Sequence, residues 1–185
     1  MLRFPIHMAT KGPTPVLLSP EVVDFLEGGR ITFVATRDPE MVPECVLASG
    51  VRISADRRIA SVFVPEVFAE LTQRNLAHNR QVAVTTTHVV DSRSVQLKGE
   101  MTEVGRATED DLRFLEGPIQ GLRHELALAG MPRSFTARLV HFPSIAIRLR
   151  VREVYDQTPG PRAGKPLESG RVERATGSMT RGGNR

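Results

Sequence analysis

Tryptophan is absent from the 185 residues, tyrosine occurs once, and the only cysteine is Cys45. One cysteine excludes an internal disulfide framework and any zinc site built from several cysteines, and we expect Cys45 to be a buried thiol on a strand. No apolar run approaches the ~18 residues of a membrane-spanning helix, and the N-terminal residues lack the apolar stretch of a signal peptide. We therefore expect a cytoplasmic protein with no membrane partner.

The net charge of +4 is concentrated at one end of the chain. Residues 1–156 contain 19 Lys or Arg and 19 Asp or Glu, whereas residues 157–185 contain six basic and two acidic residues. A neutral body with a single Tyr offers neither a basic footprint nor aromatic stacking platforms. The composition thus predicts no nucleic-acid partner.

The chain is long enough for one domain with a buried core, and slightly longer than that domain alone needs. We expect an N-terminal arm over 1–18, one domain over 19–156, and a C-terminal extension over 157–185. The extension is rich in Pro, Gly and Arg, and residues 175–185 contain only one large apolar residue, Met179. Its end is predicted to be disordered.

Local signals predict three helices. Ser19 can cap the first, with Pro20 at its first turn, and residues 65–79 form the second. Thr108 begins the third, which Pro118 should kink or divide because proline lacks a backbone donor. The second helix should cover a barrel mouth with four apolar residues facing inward: Val67, Phe68, Leu71 and Leu76. Strands rich in β-branched and aromatic residues are predicted over 31–37, 44–54, 58–64, 81–87, 92–104, 135–141 and 144–155.

Motifs for phosphate-binding loops, paired-histidine metal sites and nucleophile elbows are missing, so the sequence assigns no catalytic residue and no metal site. The histidines have no partner at motif spacing, and ordinary surface or core roles are expected for all five: His7, His78, His88, His124 and His141.

The order of elements is more specific than any local motif. It combines a helix, three antiparallel strands, a covering helix, two strands, a helix and two strands. With the segments 35–38, 75–79, 96–99 and above all 154–164, this order resembles the pyridoxamine 5'-phosphate oxidase-like family over residues 19–167. The resemblance implies a mainly β protein with helices (α+β), a six-stranded antiparallel split β-barrel that forms a homodimer and binds FMN in clefts between the subunits.

The resemblance also implies the cofactor contacts. They come from the second strand, the third strand, the start of the covering helix and the fifth strand, and fall on Val46, Leu47, Val51, Phe63, Val64, Thr72, Ser94 and Gln96. Where the true oxidases carry an Arg-Lys pair for the FMN phosphate, this chain has Leu71 and Thr72. Arg74 is then the local candidate for a phosphate contact, since a dianion needs cations or backbone donors.

Three functions remain open. The first is an FMN-dependent oxidoreductase with an unidentified small-molecule substrate. The second is a dimer that holds flavin or another planar ligand without turnover, as a carrier or in a stress-related role. The third is a barrel without a ligand, whose basic tail makes the functional contact. The absence of Trp, which the true oxidases use for their substrate, argues against pyridoxamine phosphate.

Overall fold

A computed structural model describes residues 16–167; His7 and the predicted disordered end of the extension lie outside this range. The elements are α1 (Pro20–Glu27), β1 (Ile31–Arg37), β2 (Pro43–Ala48), β3 (Gly50–Ile53), β4 (Ile59–Pro65), a 3-10 turn (Glu66–Phe68), α2 (Ala69–Asn79), β5 (Gln81–Thr87), β6 (Ser94–Arg106), α3 (Glu109–Leu128), α4 (Arg133–Thr136), β7 (Ser144–Asp156) and β8 (Lys165–Pro166).

The strands form one curled antiparallel sheet in the order β2-β1-β5-β6-β7-β4-β3, and β8 pairs with β7. The two edge strands, β2 and β3, are joined by the single residue Ser49. The sheet must therefore curl until its ends meet, and the Ser49 amide donates to the Phe63 carbonyl at 2.7 Å across the junction. This architecture is consistent with the predicted split barrel.

The predicted count of six strands is wrong. Segment 44–54 was expected to be one strand, but Ser49 divides it into β2, which pairs with β1, and β3, which pairs with β4. Short β8 adds a further strand from the extension. Leu167, directly after β8, is buried in the main core, so the described part of the extension packs on the sheet.

Two helix starts follow their local signals. The Ser19 side chain accepts a hydrogen bond from the Val22 amide at 3.3 Å, and Thr108 forms a reciprocal capping box with Asp111. Pro118 does not divide α3, which is continuous over 20 residues. The buried Pro118 ring packs over Gly50 on β3.

The predicted inward face of the covering helix is wrong except at Leu76, which is fully buried. Val67, Phe68 and Leu71 are 66%, 46% and 42% exposed. The reason is the 3-10 turn: its tighter winding delays the start of α2 to Ala69 and rotates the phase of the helix. The buried face of α2 consists of Ala69, Thr72, Asn75 and Leu76.

The predicted strand over 135–141 is also wrong. Residues Arg133–Thr136 form the one-turn helix α4, and residues 137–143 are irregular. The predicted strand would need a free edge next to β7. Both edges of β7 are occupied, one by β6 and the other by β4.

The main core lies inside the curl, where α1 and α2 cover the sheet. Its largest fully buried side chains include Leu18, Leu26, Leu76, Leu97, Ile147 and Leu149. A smaller cluster lies on the opposite side of the sheet, where α3 covers β4 through Phe63, Leu115, Ile119 and Ala146. Within residues 16–167, no helix covers the same outer side over β2, β1, β5 and part of β6, and this uncovered part positions the candidate site.

Candidate functional site

A row of side chains crosses the uncovered outer side of the sheet. Cross-strand pairing places Leu47 beside Phe33, Phe33 beside Thr85, Thr85 beside Gln96, and Gln96 beside Tyr155. We call this row the open face. Phe33 is 38% exposed and Leu47 is half-buried. The open face thus begins as an apolar surface at the edge strand and ends in polar groups.

Two amides form the polar end of the open face. Gln96 Nε2 donates to Thr85 Oγ1 at 2.9 Å, and Gln157 Nε2 donates to Gln96 Oε1 at 3.3 Å. Ser94 is on the same side of β6, as the two-residue period of a strand predicts, but it is 6% exposed and its hydroxyl is 2.9 Å from Thr87 Oγ1. Gln96 is therefore the accessible polar group of the pair.

Charged groups flank these amides. Lys98 Nζ lies 4.8 Å from the centre of the Tyr155 ring, a cation–π contact. The Tyr155 hydroxyl donates to the Glu153 carboxylate, and this hydrogen bond raises the pKa of the phenol above its ordinary value. A phenol is ordinarily protonated at neutral pH, and the contact with Glu153 keeps Tyr155 neutral over a wider pH range.

Cys45 also faces this outer side. We expected a buried thiol, but Cys45 is exposed. It pairs with Ala35 on β1, and its neighbours Glu44 and Val46 face inward toward α2 and the core. Because β2 is an edge strand and no described residue covers its outer side, every second residue of β2 is left accessible.

The other predicted contact residues are divided among different surroundings. Val46 packs against the main core from β2, and Val51 and Val64 are fully buried in it. Phe63 is fully buried under α3. Of the nine residues, the structure brings Leu47, Ser94 and Gln96 to the part of the outer side that α3 leaves uncovered, and it places Thr72 and Arg74 on α2.

The start of α2 does not fit a phosphate dianion. Thr72 is fully buried, and its hydroxyl donates to Glu44 Oε2 at 3.0 Å. Thr36 Oγ1 donates to the same oxygen at 2.9 Å, and Asn75 Nδ2 donates to Thr36 Oγ1 at 3.0 Å. A carboxylate held here would repel a phosphate.

Arg74 lies on the outer surface of α2. Its side chain is 69% exposed, and its guanidinium lies 3.4 Å from the Glu70 carboxylate, one helical turn away. Such an exposed i,i+4 pair contributes only a few tenths of a kcal/mol, about 0.3–0.5. Arg74 is thus held loosely enough to turn toward another anion.

A second polar cluster, which the sequence did not indicate, anchors α3 to the ends of β1 and β5. The Glu125 carboxylate is 4% exposed and accepts hydrogen bonds from the Arg30 guanidinium and from the Val89 amide at 3.1 Å. His88 Nε2 lies 3.1 Å from the same carboxylate, and His88 Nδ1 lies 2.6 Å from Asp91. These ion pairs make the cluster an anchor for α3, in which Arg30 Nε stays buried without a hydrogen-bond partner among the described residues.

Within residues 16–167, no helix is both long and apolar enough to cross a bilayer. In the same range, no three His, Cys, Asp or Glu side chains group closely enough to hold a metal ion.

Comparisons with known proteins agree with the fold. No family model matches the chain. An uncharacterized protein of Methanocaldococcus jannaschii is 26% identical over 159 residues, which cover 86% of this chain and 93% of that protein. The crystal structure of HupZ from Group A Streptococcus matches with a TM-score of 0.50 at 13% identity, covering 80% of this chain and all of that chain. This likeness shows a shared fold.

Other similar solved structures include an F420 reductase and an FMN-binding protein from Syntrophomonas wolfei, both with TM-scores of 0.46. Another, from Lactobacillus delbrueckii, has been assigned as a pyridoxamine 5'-phosphate oxidase. Its TM-score is 0.48 at 14% identity, and the match covers 75% of this chain and 93% of that chain.

Proposed function

We propose that this chain is a homodimeric flavin-binding protein that holds the ring system of FMN on the open face, and that it acts as an oxidoreductase on a small molecule. The observation that carries the proposal is the polarity gradient along the open face. An isoalloxazine ring is planar, with an apolar benzenoid end and a polar pyrimidine end. Phe33 and Leu47 suit the first, and the amides of Gln96 and Gln157 suit the second.

The ring and the phosphate of FMN fit this chain unequally. The open face offers apolar contact and amide hydrogen bonds, whereas the carboxylate of Glu44 occupies the position beside Thr72. When bound, a flavin supplies hydride and electron transfer through its own ring. The chain's contribution is to bind and orient that ring, with Gln96 as the residue that fixes its polar edge.

Exposed apolar surface on the open face supports the dimer in this proposal. Phe33 and Leu47 leave apolar surface uncovered on an edge of the sheet, and exposed apolar patches commonly mark interaction sites. A second copy related by a two-fold axis would cover the open face and turn it into a cleft. Light scattering coupled to gel filtration tests this: we expect twice the mass of the chain, and a monomer at micromolar concentration would contradict it.

Flavin binding is tested by titrating FMN and riboflavin into the protein and following flavin fluorescence. Gln96→Leu removes the amide at the polar edge, so we expect the dissociation constants of both ligands to rise by about tenfold, the value of one hydrogen bond of roughly 1.4 kcal/mol. Gln73→Leu makes the same change on the exposed side of α2 and should leave both constants unchanged. If neither FMN nor riboflavin binds, the proposal is refuted.

The role of Arg74 has its own test. If Arg74 turns from Glu70 to the phosphate, Arg74→Ala should weaken FMN more than riboflavin. Equal effects on the two ligands would show that Arg74 makes no phosphate contact.

The second candidate function is a dimer that binds flavin or another planar ligand without turnover. The contact between Thr72 and Glu44 favours it, because a site that repels phosphate holds FMN weakly. Anaerobic mixing of the flavin-loaded protein with reduced nicotinamides separates the two functions. Bleaching of the flavin absorbance supports the oxidoreductase, whereas a flavin that stays oxidised for many minutes supports the carrier.

A further inference from the structure

A pocket of about 480 Å³ lies between α3 and the irregular segment 137–142. None of its lining residues belongs to the open face. Its walls carry polar side chains from both elements, and the residues that matter for its chemistry are Glu116, Gln120, Arg123, Arg138 and His141.

His141 is the most unusual of these residues because it is 95% buried yet only half satisfied. Its Nδ1 lies 3.4 Å from Ser49 Oγ, and the Ser49 hydroxyl donates to the His141 carbonyl at 3.3 Å. The serine oxygen is then left to accept from Nδ1–H, which assigns the lone pair of the neutral ring to Nε2. That Nε2 has no hydrogen-bond partner within residues 16–167. A buried polar atom without a partner costs about 1–3 kcal/mol, which a ligand would recover.

The charges around the pocket favour an anion. Arg123 comes from α3 and Arg138 from the irregular segment, and neither forms an ion pair with an acidic residue of the described range. Glu116 is the only acidic side chain among the lining residues. Two guanidinium groups therefore stand against one carboxylate, and guanidinium is the side chain best shaped to bind carboxylate or phosphate oxygens.

We propose that this pocket binds a small oxyanion, a carboxylate or a phosphate, between Arg123 and Arg138, and that His141 Nε2 takes up a proton and donates it as a hydrogen bond to the bound anion. The site is separate from the flavin site and does not depend on it.

The electrostatics of His141 give the site a pH dependence. Burial, and then the charge of Arg123, lowers the pKa of His141 below its ordinary value, so the ring is neutral at pH 7 when the pocket is empty. The charged side chains that line the pocket around it are Glu116 and Arg123 from α3 and Arg138 from the irregular segment, and Ser49 faces it from the β2–β3 junction. A bound anion opposes the charge of Arg123 and favours the charged form of the ring, although burial remains. Binding should therefore take up a proton and strengthen as the pH falls.

The test follows the His141 ring proton by NMR over a pH series in the full chain, with inorganic phosphate, with acetate, and with chloride at the same ionic strength. His141→Gln assigns the resonance by its loss. We expect phosphate or acetate to raise the pKa of His141 above its value in chloride. The anion that does so identifies the preferred source of the negative group, and a pKa equal in all three salts overturns the proposal.

Substitutions at the arginines locate the site. Arg123→Gln should raise the pKa of His141 in chloride, since one cause of its lowering is removed, and should weaken the anion about tenfold or more. Arg138→Gln should also weaken binding of the anion, but it should not raise the pKa of His141 in chloride as Arg123→Gln does. Arg113→Gln is the control: it lies on the same helix, ten residues and about 15 Å away, and pairs with Asp110. Equal losses in the Arg113 and Arg123 variants would overturn the proposal, because they would indicate nonspecific charge effects.

Discussion

Gly29→Ala is the most informative single change for the packing of α3 on the sheet. Gly29 has φ +75°, and a Cβ atom at this position would lie 2.7 Å from the Pro118 carbonyl oxygen and 2.8 Å from Gly121 Cα. The left-handed backbone costs a non-glycine residue about 1–2 kcal/mol, and overpacking against backbone adds about 1–3 kcal/mol. We therefore expect Gly29→Ala to lower the free energy of unfolding by about 2–5 kcal/mol.

Two other glycines separate these causes. Gly130 also has positive φ, +86°, but nothing lies within 4 Å of an added Cβ, so Gly130→Ala should cost only the backbone term of about 1–2 kcal/mol. Gly117, inside α3, has neither a contact within 4 Å nor a positive φ, and Gly117→Ala should stabilise by about 1 kcal/mol. Urea unfolding followed by circular dichroism measures all three. The close approach of α3 would be refuted if Gly29→Ala were no more damaging than Gly130→Ala.

Other predictions concern single side chains. Because the folded-state pKa of His141 is lowered, the unfolded chain binds more protons between that lowered pKa and about pH 6.5, and the wild type should lose up to about 1.4 kcal/mol of stability for each unit by which the pH falls through this window. Unfolding of His141→Gln should depend less on pH in the same window, and an unchanged slope would contradict this. Leu97→Ala, at a fully buried site, should cost about 2–5 kcal/mol in the same assay, whereas Leu128→Ala, at a side chain 65% exposed, should stay within about 0.5. Glu44→Gln removes the negative charge beside Thr72, so the affinity for FMN should rise relative to that for riboflavin; a constant ratio would show that Glu44 does not select against phosphate.

The elements that the sequence predicted well carry their own local signals. β1 coincides with the predicted 31–37, and β5 with 81–87. The first helix follows from Ser19 and Pro20, and α3 follows from the acidic first turn after Thr108. Strand alternation and helix capping act over a few residues, so a single sequence contains enough information to predict them.

The wrong predictions concern features that depend on contacts between parts of the chain that are distant in sequence. The covering helix was predicted in the wrong phase because a 3-10 turn precedes it, and the apolar side chains of Val67 and Phe68 did not indicate that turn. The strand over 135–141 failed because β6 and β4 already occupy the edges of β7. Cys45 is exposed because no part of residues 16–167 covers the outer side of β2. Each outcome depends on which strand edges and sheet surfaces other elements of the fold occupy.

The candidate sites show the same limit. The alternation that places Ser94 and Gln96 on one side of β6 was predictable, but their unequal exposure depends on the contact of Ser94 with Thr87. The anchor of α3 joins Arg30 to Glu125, 95 positions apart, and no spacing rule connects such residues. His141 was expected to have an ordinary role. Its burial and its unpartnered nitrogen depend on how α3 and the segment around His141 pack, which the sequence does not indicate.

The two ends of the proposed flavin site differ in what they can recognise. At the start of α2, the hydroxyl of Thr72 is committed to Glu44, so this part of the helix closes the barrel and offers a phosphate a negative neighbour. On the open face, the side-chain amide of Gln96 lies near the surface, and Phe33 supplies apolar area. Selectivity should then come from the polar edge of the ring, because a site that reads hydrogen bonds rejects ligands that lack them more strongly than a purely apolar site does. A planar aromatic without hydrogen-bonding groups should accordingly bind far more weakly than riboflavin.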